Sequence, residues 1–221
     1  GGCNTFPNWK VIGGYDYVND DADPMDDNGH GTHCAGIIAG MGNASGRYIG
    51  MAPNATLMAY KVLDDMGSGW MSDIIAGIER SLDPNTDDKC DIISLSLGQT
   101  GDPTDPLSQC VKNAVDWGSV VVVAAGNSGN NGKYTITSPG CVMNAITVGA
   151  STQLEDSKDS GGPDKIAWYS SMGPTCTYDL KPDLVAPGGD VELIYDEDGN
   201  LQDISFEYGI VSTRANNTEG G

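Results

Sequence analysis

Apolar positions in this chain fall into short runs separated by breaks rich in Gly, Pro and Asp, and the spacing inside the runs alternates between two periods. Within Ser72–Leu82 the apolar residues Ile74, Ile75, Ile78 and Leu82 recur at helical spacing, with Ser72 placed as the N-cap. Residues 29–41 predict a second helix, small on one side and ending near Gly42, and Pro106–Trp117 predict a third. Between them lie four strand-length runs: Ala55–Leu63 rising from a Pro-Asn turn, Asp91–Leu97, Val120–Ala125 and Ala145–Gly149. Beyond Pro187, Val191–Tyr195 and Leu201–Val211 flank Asp196-Glu197-Asp198-Gly199-Asn200, whose Asp-Gly pair predicts a hairpin. No strand is expected upstream of His30. The alternation of buried strands with helices predicts an α/β fold with a mostly parallel sheet covered on both faces. Without an internal repeat, low-complexity tract or linker, residues 1–221 are expected to form one domain.

Composition narrows the partners. A chain of 221 residues, 38% of them hydrophobic, is long enough to bury a sizeable core. No apolar stretch approaches the roughly 18 residues of a membrane span, so no membrane partner is expected. Thirty-one acidic residues against eleven basic ones give a formal charge of −20, which disfavours nucleic acid and anionic lipid. A solvated acidic surface accounts for the excess; calcium binding by some of the Asp residues is the alternative, and no run matches a dedicated calcium loop. The six cysteines carry no C-x-x-C pair and no zinc spacing, so one or two disulfides in an oxidising compartment are expected, with Cys34 a free core thiol. Asn43, Asn54 and Asn216 each open a glycosylation sequon. The first residues, Gly1-Gly2-Cys3, lack a Met, so the start is read as processed or truncated.

Candidate chemistry concentrates in two places. In Asn28-Gly29-His30-Gly31-Thr32-His33-Cys34-Ala35-Gly36 a histidine stands at a helix start between two glycines that allow close backbone approach. A general base needs such an imidazole, fixed in rotamer and tautomer. Asp26 and Asp27, just upstream, have the spacing of a solvated turn rather than of a triad acid. His30 and His33 could instead share a metal, although the zinc-peptidase pattern places its histidines at i, i+4 around a glutamate; His33 otherwise reads as structural and hydrogen-bonded. At the end of a buried strand, Ala124-Ala125-Gly126-Asn127-Ser128-Gly129 presents Asn127, an oxyanion donor or the support of a tight turn. Gly67-Ser68-Gly69 and Ser96-Leu97-Gly98 offer backbone edges for an extended peptide, or are simply flexible turns.

These runs carry a resemblance. Asp27–Gly36, Gly50–Ala55, Val62–Gly69, Ile92–Gly98, Ala124–Gly129, Ser138–Gly140, Tyr169–Pro174 and Lys181–Gly188 together resemble, in family order, the catalytic domain of a subtilase, a subtilisin-like serine protease. The resemblance implies a three-layer α/β sandwich that hydrolyses peptide bonds of protein substrates through an acyl-enzyme. His30 would be the general base and Asn127 the oxyanion donor. Gly67, Ser68, Gly69, Ser96, Leu97 and Gly98 would flank the peptide, and Ala124, Ala125 and Gly126 would wall the pocket for the residue before the scissile bond. It implies a secreted monomer acting on extended peptide, with no cofactor required for chemistry. It implies structural calcium only at the loop Met41–Gly50, which corresponds to one that binds calcium in some relatives and here offers only Asn43 and Ser45 as side-chain oxygens, without a clear motif. The family's Asp-Thr/Ser-Gly turn is not found upstream of His30, and its Gly-Thr-Ser-Met-Ala segment is not found at all. The chain is therefore expected to be a single incomplete domain lacking the Asp and Ser segments, inactive alone. The alternatives are a non-catalytic relative that binds peptides and a metal-dependent hydrolase using His30 and His33.

Overall fold

The computed structural model describes residues 6–86, 89–152, 165–195 and 201–208. They gather into two compact units, one built from the residues through Ser96 with Asp116–Ser119, the other from Leu97–Val115 and the residues from Val120 onward.

The first unit opens with a strand, β1 (Val11–Asp16), followed by α1 (His30–Ala39), β2 (Leu57–Lys61), α2 (Met71–Leu82) and β3 (Ile92–Leu95). Strand β1 corrects the expectation that none precedes His30. It pairs in parallel with β2, bringing Val11 opposite Leu57 and Asp16 opposite Lys61. Its pattern is illegible because Gly13 and Gly14 interrupt the β-branched run, and glycines weaken a strand signal. They serve close approach: a Cβ on Gly14 would collide with the Ala59 carbonyl. Helix α2 buries Ile74, Ile78 and Leu82 as the spacing predicts. Its cap differs. The capping position is Trp70, whose carbonyl accepts from the Asp73 and Ile74 amides at 3.1 and 3.2 Å, while the Ser72 hydroxyl, inside the first turn, turns to Asp73.

The second unit holds α3 (Pro106–Asp116, all but its last residue) and strands β4 (Val120–Ala124), β5 (Ile146–Ser151), β6 (Leu184–Pro187), β7 (Asp190–Tyr195) and β8 (Leu201–Tyr208). Strands β4, β5 and β6 run parallel, Val122 opposite Ile146 and Val148 opposite Leu184. Asp105 caps α3 by accepting from the Ser108 amide at 2.8 Å. The apolar face of α3 buries Leu107, Val111 and Ala114, and β4 buries Val121 and Val123. Strands β7 and β8 pair antiparallel as the hairpin pattern predicts; the turn at residues 196–200 lies outside the described residues.

The described cysteines are Cys34, Cys90, Cys110, Cys141 and Cys176; Cys3 lies outside the described residues. No disulfide forms among the described residues, against the expectation of one or two. Buried Cys141 instead packs its sulfur 3.5 Å from the Ser108 hydroxyl.

Candidate functional site

In the first unit, His30 is the first residue of α1. The turn before it is organised by Asp26. One oxygen of this carboxylate accepts from the Asn28 and Gly29 amides at 3.0 and 2.8 Å, and the other from the Thr32 amide and hydroxyl, both at 2.7 Å. The Gly29 and Thr32 amides are among the donors that a helix start leaves unpaired, so Asp26 caps α1 from three residues before its N-cap Gly29. The turn is thus not simply solvated: Asp26 is half-buried. Burial works to raise its pKa, but the bonds from Gly29, Thr32 and Asn28 prevail and hold the carboxyl below its ordinary value.

Asn28 links the same turn to the loop after β2. Its side-chain oxygen accepts from the His30 amide at 3.2 Å and its amide donates to the Asp65 carbonyl at 2.8 Å. That loop contains Gly67, Ser68 and Gly69. Asp64 shapes it by accepting from the Met66 and Ser68 amides at 3.0 and 2.9 Å, while the Ser68 carbonyl accepts from the Asp64 amide at 2.7 Å. Both backbone groups of Ser68 are therefore turned toward Asp64. A buried ammonium sits beneath. Lys61 Nζ lies 3.5 Å from Asp16 and 3.4 Å from Asp27, joining the ends of β1 and β2 to the turn that carries His30. The Asp16 carboxylate accepts from the Val18 and Asn19 amides and from the Asn19 side chain at 2.8–2.9 Å, so its hydrogen bonds go to its own loop.

Cys34 is not a core thiol. It is half-buried, four residues after His30 on the same face of α1, with its sulfur 3.9 Å from His30 Nε2. The buried face of α1 belongs to Gly36 and Ala39. The contact with Cys34 raises the His30 pKa above its ordinary 6.5, against the effect of burial and aided by the charges of Cys34 and Asp26. Reciprocally, burial pushes the Cys34 thiol up, but hydrogen bonds with His30 and Ser96 bring it below its ordinary value. Ser96, read from sequence as part of a peptide-binding edge, is thereby linked through Cys34 to the His30 face. His33 is half-buried, and no group of three or more metal-ligating side chains occurs among the described residues.

In the second unit, Asn127 is exposed in the turn after β4. Gly126 precedes it at φ 108°, and a Cβ there would lie 2.8 Å from both Ser171 Oγ and Thr137 Oγ1. Ala125 is buried, its amide donating to the Val148 carbonyl at 2.9 Å and its carbonyl accepting from the Thr137 amide at 3.1 Å. Gly98 stands over the same threonine, where a Cβ would come within 2.8 Å of Thr137 Oγ1. Thr137 thus brings the Leu97–Gly98 edge and the Ala124–Gly126 segment together. Sequence reasoning read Asp26 as part of a solvated turn, missed Thr137 and Ser96 as a partner of Cys34, and named Ser171 only within the Tyr169–Pro174 run, without a role. The i, i+4 spacing of His30 and Cys34 and the Tyr169–Pro174 run around Ser171 were the signals available.

The model of the subtilase family matches residues 5–219. The chain belongs to the subtilase family. It is 46% identical over 189 residues to serine protease AprX of Bacillus subtilis (strain 168), a match covering 81% of this chain and 42% of that protein. To thermitase of Thermoactinomyces vulgaris it is 43% identical over 177 residues, covering 76% of this chain and 60% of thermitase. Among solved structures, sphericase superposes with a TM-score of 0.63 at 39% identity, covering 74% of this subtilase chain and 54% of sphericase. The α/β fold expected from the sequence is therefore the subtilisin-like one. This subtilase chain spans about half the length of these relatives, 42% and 60%.

Proposed function

We propose that this subtilase segment belongs to a serine endopeptidase that cleaves protein substrates through an acyl-enzyme, with His30 as general base and Asn127 as oxyanion donor. His30 takes the proton of the attacking serine hydroxyl, returns it to the leaving amine, and then takes a proton from the water that hydrolyses the ester. Asn127 donates to the carbonyl oxygen as it becomes negative in the tetrahedral intermediate. The observation that carries this reading is the capped start of α1, where Asp26 fixes the turn and Cys34 touches the His30 ring. The name of serine protease AprX, a relative at 46% identity, supports it.

Substrate is taken as an extended strand along Gly67–Gly69 and Ser96–Gly98, with Ala124, Ala125 and Gly126 walling the pocket for the residue before the scissile bond. No cofactor enters the chemistry. At the loop Met41–Gly50, the calcium candidate drawn from the family resemblance, the Asn43 side-chain oxygen already accepts from the Ser45 amide and hydroxyl and the Arg47 amide. From the subtilase resemblance we read the protein as a secreted monomer; among the described residues no helix is long and apolar enough to cross a membrane.

The test is hydrolysis of a peptide p-nitroanilide by the full-length protein. His30→Ala should lower kcat by about 10⁴-fold or more, since losing a triad member removes most of the rate enhancement. Retention of the wild-type rate would overturn the reading. The 221 residues alone lack the Gly-Thr-Ser-Met-Ala segment and should hydrolyse nothing; turnover by the pure polypeptide would show that the nucleophile has been misplaced. Peptide binding without hydrolysis by the full-length protein would favour a non-catalytic relative.

A further inference from the structure

The residue to be oriented in the second unit is Asn127, and the structure shows what holds its turn. The Ser171 amide donates to the Gly126 carbonyl at 2.9 Å, and Ser171 Oγ accepts from the Ser128 amide at 3.1 Å. One side chain and its own backbone therefore grip the residues on both sides of Asn127. Ser171 is 2% exposed, so these bonds compete little with water. Its segment is itself fixed. The Tyr169 carbonyl accepts from the Gly129 amide at 2.9 Å, Ser170 Oγ accepts from the Ala150 amide of β5 at 3.0 Å, and the Met172 amide donates to Thr135 Oγ1 at 2.8 Å. The strap 169–172 thus ties the Asn127 turn to the parallel sheet.

Gly126 explains why the grip is close. At φ 108° it turns the chain through a conformation that other residues resist, and a Cβ would press on Ser171 Oγ itself. Without Ser171 Oγ, the Ser128 amide loses its bond and the peptide plane after Asn127 can rotate. A donor displaced by a fraction of an ångström no longer points at the developing oxyanion, and such misplacement costs rate rather than binding.

We infer that Ser171 is a positioning residue for catalysis, acting through the Asn127 turn. This inference rests on the proposed role of Asn127 and on nothing in the first unit. The experiment is a double-mutant cycle in the full-length protein, with kcat and KM measured on a peptide p-nitroanilide. Asn127→Ala should lower kcat by about 10²–10³-fold, as expected for loss of one oxyanion donor. Ser171→Ala should lower kcat by about tenfold with KM nearly unchanged, and should cost nothing further in the Asn127→Ala background.

An equal loss in both backgrounds would overturn the inference, because a purely structural serine damages both equally. No loss in the wild-type background would also overturn it. If Asn127→Ala leaves kcat unchanged, the oxyanion reading itself falls, and the inference with it. Should Ser171→Ala not accumulate as folded protein, Ser171→Cys nearly keeps the volume and replaces a strong acceptor with a weak one. The cysteine variant is held to the same two outcomes.

Discussion

Around His30 the structure gathers titratable and polar side chains, Cys34, Asp26, Asn28 and, through Cys34, Ser96; around Asn127 it gathers backbone amides, one buried serine and one threonine. The difference follows from what each residue is asked to do. A base must change its protonation state during turnover, so its surroundings have to set a pKa as well as a direction. An amide donor never titrates and needs only to be aimed. Substitutions beside His30 should therefore displace pH profiles, while substitutions beside Asn127 should lower kcat at every pH without displacing them.

The sharpest way to break that contrast is Gly126→Ala. Its Cβ would meet two hydroxyl oxygens at 2.8 Å in a backbone conformation that alanine resists. The turn must shift, and kcat of the full-length protein should fall by about 10²-fold with the pH optimum unmoved. A displaced optimum would show that the Asn127 turn is electrostatically coupled to a titrating group. Next in size is Lys61→Met, which strands the Asp16 carboxylate, 3% exposed, without its cation. Removing one partner of a buried pair should lower unfolding stability by about 3 kcal/mol in a denaturant titration. Most of the loss belongs to the Asp16 side, because Asp27 is 49% exposed and its attraction is screened by water.

Much of this architecture is written in the chain. The α2 face reads from the spacing of Ile74, Ile78 and Leu82, β4 from an unbroken apolar run, and the two motif glycines beside His30 from sequence alone. Strand β1 does not read, because its signal depends on Gly14 lying against Ala59, a neighbour 45 residues away in sequence. Ser171 lies in the legible Tyr169–Pro174 run, but its grip on Ser128, 43 residues away, leaves no local pattern. Ser72 misleads in the other direction. It is a good capping residue one position inside a helix that starts earlier, where the carbonyl of Trp70 already serves. Local chemistry is visible in a sequence; grips made across the fold are visible only once the chain is closed on itself.

Asp26→Ala removes an acceptor of four hydrogen bonds at the start of α1 and should cost about 1–2 kcal/mol near pH 7. The Asp26 pKa is lowered on folding, so its stabilisation is present above the ordinary value of 3.8 and is lost as pH falls through the folded value. The destabilisation measured by denaturant should therefore shrink in acid. Constant destabilisation down to low pH would assign the loss to packing instead of to the charged cap.

The smallest effect is also the most diagnostic of the His30 side. Cys34 raises the His30 pKa chiefly by its hydrogen-bonding contact at 3.9 Å, so Cys34→Ala should lower it. Neutral His30 would then persist to lower pH, and the acid limb of kcat/KM in the full-length protein should move in the acid direction. Stability gives an independent check with a fixed sign. A histidine whose pKa is raised on folding contributes stability that is fully present below its ordinary 6.5 and is lost as pH rises through the folded value. The part of the stability lost in Cys34→Ala that belongs to His30 should accordingly be largest in mild acid and fade as pH rises through the folded value, before the lowered Cys34 pKa adds its own loss at alkaline pH. An acid limb that stays in place would mean that Cys34 packs beside the base without tuning it, and the contrast between a titrating site and an aimed one would lose its clearest support.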